Sequence, residues 1–122
     1  MTHIDAGRAA ILDLGSEDYY YLAEAAAYLP TVPTDERASV AREAMRQLLC
    51  EGLVELFFGD FATNAMTVLP QAEALRAIDD PKAWDVEAFY PNSYCFLNTD
   101  AGDAVYRGEV RPPSGRNQPN ER

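Results

Sequence analysis

Two segments constrain the fold of this chain more than any others. Gln47 to Leu56 reads as a helix that ends at Gly52 and runs straight into a strand. Tyr94 to Tyr106 reads as a strand that turns through Asn98 and Thr99 into a capped helix. Together they call for a mixed α+β fold in which helices flank a small sheet.

The remaining elements follow from local signals. Ile4 to Leu14 is a first helix, with Asp5 near its start and Gly15 at its end. Ser16 is a good N-cap, and Glu17 and Asp18 favour the positive end of a second helix running to Leu29. Thr34 caps a third helix through Cys50, with Ala41, Met45, Leu48 and Leu49 at core-facing spacing. Leu53 to Phe58 follows as a strand, with Val54, Leu56 and Phe58 on one side and Leu53, Glu55 and Phe57 on the other. Gly59-Asp60 reads as a turn and Phe61 to Val68 as a second strand. Pro70 opens a fourth helix carrying Ala72, Leu75, Ala77 and Ile78. Asp79-Asp80-Pro81 ends it before a short turn holding Trp84, and 85–92 is an irregular loop. Residues 1–110 are expected to form one domain. From Arg111 to Arg122 the chain is Pro, Gly, Asn, Gln, Ser and Arg, and is expected to be a disordered tail.

The phrase Glu51-Gly52-Leu53-Val54-Glu55 is similar to the point where a recognition helix ends and the wing begins in bacterial winged-helix regulators. Leu97-Asn98-Thr99-Asp100-Ala101-Gly102 resembles the leucine-threonine-x-x-glycine phrase that closes the wing in MarR-like and PadR-like members, with an asparagine inserted. The asparagine-threonine-x-x-glycine-aspartate ending is also similar to that of small uncharacterised acidic bacterial proteins. The resemblance implies a winged-helix-like domain: three N-terminal helices, a small antiparallel wing sheet with a helical insert from Leu69 to Ser93, and a C-terminal helix. It also implies that the helix Thr34–Cys50 would enter the major groove, with Arg37, Arg42 and Arg46 as its DNA contacts.

The charge speaks against that use. The chain carries a net charge of -10, and residues 1–110 hold 19 acids against 7 bases. Nucleic-acid affinity comes largely from cations that neutralise phosphates, so a body this acidic repels DNA and attracts a basic polypeptide. Acidity that merely aids solubility is the plain alternative. On the third helix, Asp35, Glu36, Glu43 and Glu51 offset the three arginines to a net -1. The wing carries Phe57, Phe58, Gly59, Asp60 and Phe61 where lysine or arginine is usual, which suits protein contact or insertion into the core.

No reaction-bearing constellation is visible. His3 is the lone histidine and sits at a terminus, which argues against base catalysis and most zinc arrangements. The spacing of Asp79, Asp80, Asp85 and Glu87 matches no calcium loop, so these acids read as a solvated face and no metal or cofactor is expected. The seven glycines are scattered singly, without a phosphate-cradling loop. Tyr19-Tyr20-Tyr21 on a helix would point about 100° apart, leaving at least one ring at the surface. Trp84 reads as a core anchor for the insert. Cys50 and Cys95 each lie in an apolar run and read as reduced buried thiols, in a cytoplasmic protein without signal peptide or membrane span.

The expected function is therefore protein binding rather than catalysis: an acidic inhibitor of immunity or antitoxin type that neutralises a basic partner such as a nuclease toxin. Asp79, Asp80, Asp85 and Glu87 would supply its charge, and Tyr20 and Phe58 its aromatic anchors. The alternative is a transcriptional regulator reading DNA through Arg37, Arg42 and Arg46.

Overall fold

The two segments that open the argument meet in space. The computed structural model describes residues 2–29 and 31–109; the expected tail lies outside the described residues. Helix α3 (Arg37–Cys50) ends at Gly52, whose φ of 74° a residue with a side chain adopts only with strain. The Gly52 amide donates to the Leu49 carbonyl at 3.2 Å and the Leu53 amide to the Leu48 carbonyl at 2.9 Å, which closes the helix and aims the chain into strand β2 (Val54–Asp60). Against that junction sits the start of helix α5 (Asp100–Tyr106). Thr99 donates its hydroxyl to the Gly52 carbonyl at 2.8 Å and its amide to the Leu53 carbonyl at 3.0 Å, and its hydroxyl oxygen accepts from the Gly102 amide. Any Cβ at Gly102 would collide with the Leu53 carbonyl, so the phrase needs glycine there.

The sheet is antiparallel and four-stranded, in the order β1-β4-β2-β3. Strand β1 is the pair Tyr20–Tyr21, β3 is Ala65–Val68 and β4 is Ser93–Asn98. Helix α1 (His3–Gly15) starts with a capping box between Thr2 and Asp5. A bidentate ion pair from Arg8 to Glu51, at 2.6 and 2.9 Å, holds it against the end of α3. The main core gathers Ile11, Leu22, Met45, Leu48, Leu56 and Phe96, drawn from α1, α3, the sheet and helix α2 (Leu22–Ala27). Helix α4 (Gln71–Ala77) and a 3₁₀ turn at Pro81–Trp84 form the insert between β3 and β4. Trp84 anchors it, half-buried against the core, with its indole N–H donating to the Ile78 carbonyl at 2.9 Å.

Several expectations are corrected. The second helix does not start at Ser16: Tyr20 and Tyr21 pair with Phe96 and Cys95 of β4, and helix begins only at Leu22. Backbone pairing to a strand distant in sequence overrides the local capping signal. Thr34 lies in a 3₁₀ turn, Thr34–Glu36, without a side-chain cap, and α3 proper starts at Arg37. Gly59-Asp60 is not a turn but the end of β2, paired with Met66 and Ala65. The reversal falls on 61–64, where the Asp60 carboxylate accepts from the Ala62 amide at 3.0 Å and Asn64 takes a φ of 61°. Strand β3 consequently starts at Ala65, not Phe61. His3 is not loose: it lies in the first turn of α1 with its ring 3.0 Å from Glu36. Of the two free thiols only Cys95 is buried; Cys50 is exposed.

Candidate protein-binding surface

Two of the three arginines of α3 are engaged within the chain. Arg37 donates to the Val32 carbonyl at 3.0 Å. Arg46 donates to Asp79 at 2.7 Å and to Glu43 at 3.3 Å. That hydrogen bond to Asp79 raises the Arg46 guanidinium further above its ordinary value and holds the Asp79 carboxyl below the usual carboxylate range. Arg42 is half-buried and adds to the attraction on Asp79. The carboxylate just past the end of α4 thus crosses to α3 and occupies the cation that a groove-binding helix would need.

The other acids of the insert are exposed, and two also shape the backbone. Asp80 accepts from the Lys82 amide at 3.0 Å and caps the 3₁₀ turn. Asp85 accepts from the Glu87 amide at 2.9 Å. These acids do not gather with Tyr20 and Phe58 into one patch. Asp80 shares a shallow hollow of about 370 Å³ with Phe58, Tyr94, Glu73 and Arg76. There Phe58, Phe89 and Tyr94 form a ring cluster with centroids 4.6 to 5.8 Å apart. Burial pushes the Tyr94 phenol up, with Asp80 and Glu73 adding to it. Glu87 lies elsewhere, around a hollow of about 240 Å³ with Tyr21, Asp60, Phe61 and Tyr90. Tyr20 faces inward and packs against the core.

The register explains the split. Partners across antiparallel strands share a face, and alternate residues switch faces. Tyr20, Phe96 and Leu56 form an inner row. The next row runs Tyr21, Cys95, Phe57 and Val68 across all four strands on the outer face. Tyr19 joins it, 5.0 Å from Phe57, and Phe61 closes the cluster at 6.1 Å from Tyr19 and 5.5 Å from Tyr21. Beneath these rings Cys95 is fully buried, and burial pushes its thiol up to about 12, with Glu24 adding to it.

Sequence reasoning missed this outer cluster. Its signal was present in Tyr19-Tyr20-Tyr21 and Phe57-Phe58: read as extended chain, period-two alternation puts Tyr19 with Tyr21 and separates Phe57 from Phe58. Among the described residues no group of three or more His, Cys, Asp or Glu side chains is placed to hold a metal ion. No described helix is long and apolar enough to cross a membrane. No family model, curated protein or solved structure matches the chain.

Proposed function

We propose that this chain is a cytoplasmic protein-binding domain on a winged-helix-like scaffold, an inhibitor of immunity type that neutralises a basic partner such as a nuclease toxin. The scaffold reading is supported by the order of three helices, a strand entered directly from α3, a returning strand β4 and the Thr99-capped α5. Two free thiols suit a reducing compartment.

The observation that carries the functional reading is the Arg46–Asp79 contact between α3 and the insert. A helix that reads DNA presents free cations to phosphates. Here one arginine is neutralised by two carboxylates and another is spent on a backbone carbonyl. What remains exposed is the rest of the acidic insert: Asp80 beside the aromatic hollow at Phe58, with Asp85, and Glu87 at the hollow by Tyr21. Carboxylates of this kind speed the encounter with a cationic groove, and aromatic side chains supply buried contact area once it is reached.

Affinity purification of the tagged full chain from its host, with mass spectrometry, tests the proposal together with low-salt gel shifts on host DNA. The expected result is one basic protein in stoichiometric amount, released by salt, and no discrete DNA complex. Tight, sequence-dependent DNA binding without a protein partner would defeat it.

A further inference from the structure

The outer face of the sheet is aromatic, and none of Tyr19, Tyr21, Phe57 and Phe61 packs against either buried core cluster. The row Tyr21, Cys95, Phe57 and Val68 spans every strand, with Val68 45% exposed at one edge. Beyond Tyr21 stands Tyr90, 78% exposed. The charges around this face are of one sign. Glu55 is exposed on the same side of β2 as Phe57, and the hollow beside Tyr21 and Phe61 is lined by Asp60 and Glu87 without a lysine or arginine.

We propose that this outer face is the docking surface and that its occupant is an arginine-bearing polypeptide segment, whose guanidinium groups stack on the Tyr19, Tyr21, Phe57 and Phe61 rings while Glu55, Asp60 and Glu87 pair their charge. The inference rests on the protein-binding reading above and moves its centre from the insert to the sheet. Arginine is the chemistry that fits both halves of the surface: its planar cation lies flat on an aromatic ring and forks onto a carboxylate, whereas lysine meets a carboxylate only as a point charge. A second copy of this chain is disfavoured, because apposing two such faces brings Glu55, Asp60 and Glu87 of each against their counterparts. Single-stranded nucleic acid also stacks on aromatic sheets, but it needs a basic groove for its phosphates, and here the rim is acidic.

The test is a titration of the ¹⁵N-labelled full chain, at low salt, with a short peptide of alternating arginine and threonine, its lysine counterpart, and an oligouridine. The expected result is amide shifts centred on Tyr21, Phe57, Phe61 and Cys95, with the arginine peptide bound about fivefold more tightly than the lysine peptide. The double variant Tyr21→Ser/Phe57→Ser should weaken binding about tenfold. The milder Glu55→Gln/Asp60→Asn/Glu87→Gln should weaken it while flattening its salt dependence, and guards against a folding defect in the first. Shifts confined to residues 79–85, or equal affinity for the two peptides, overturn this inference and leave the protein-binding reading standing. No shift with either peptide overturns it too. Binding of oligouridine to the aromatic face in place of the peptides overturns both.

Discussion

Tyr20 and Tyr21 are neighbours in the chain and part company in the sheet. Tyr20 turns inward, beside Phe96, and packs against the aliphatic core. Tyr21 turns outward, beside Cys95, among half-buried rings at the surface. The inner face is sealed by helices, and Leu56 and Phe96 have no exposure at all. On the outer face the rings of Tyr19, Tyr21, Phe57 and Phe61 pack edge to face on one another. Residues of one kind therefore sit in two settings: the inner row is enclosed in the core, while the outer row stays partly open at the surface.

That contrast is open to direct attack. The largest effect belongs to the inner row: Phe96→Ala should cost about 3–5 kcal/mol in chemical denaturation, since it empties a fully enclosed site. A loss below about 1 kcal/mol would mean that the inner face is no core. Next comes Asn98, the last residue of β4 before the Thr99 cap. Its side-chain amide donates to the Leu12 carbonyl at 2.9 Å and to Asp103 at 3.1 Å, tying β4 to α1 and α5. Asn98→Ala should destabilise by about 1–3 kcal/mol, because it removes two hydrogen bonds at a buried position; an unchanged midpoint would show that these bonds contribute nothing. On the outer face, Phe57→Ser should cost only about 1 kcal/mol, the worth of one ring contact. A loss as large as that of Phe96→Ala would erase the distinction between the faces.

The smallest effect at neutral pH is carried by Cys95. Its folded value of about 12 lies above the ordinary 9.0, so the stability it contributes is complete below pH 9 and is lost as pH rises towards 12. Denaturation midpoints measured across that range should fall less steeply in Cys95→Ala than in the parent chain. Equal slopes would mean that Cys95 is wet. A thiol reagent at pH 8 should correspondingly modify Cys50 in the native protein and reach Cys95 only on unfolding.

Much of the fold was legible because its signals are local. The Gly52 cap, a helix cap at Asn98 or Thr99, a strand over residues 93–97 and Pro70 ahead of α4 each depend on a few adjacent residues; the structure puts the cap on Thr99 and carries the strand on to Asn98. Strand β1 was not legible. Ser16-Glu17-Asp18 ahead of an alanine-rich run has every local mark of a helix start, and what defeats it is pairing with β4 far along the chain. The same gap hid the outer cluster, since Tyr19, Tyr21, Phe57 and Phe61 come together only once the register is known. The acids were legible as charge but not as geometry: nothing in the spacing of Asp79 says that it reaches back to Arg46.

The strand order has a consequence for biosynthesis. β4 lies between β1 and β2, yet it is the last strand the ribosome delivers. A nascent chain halted before Ser93 holds two flanking strands with a vacancy between them, so the inner face stays wet until the sheet's keystone emerges. Folding of this sheet therefore waits on the synthesis of Ser93–Asn98 rather than building up element by element.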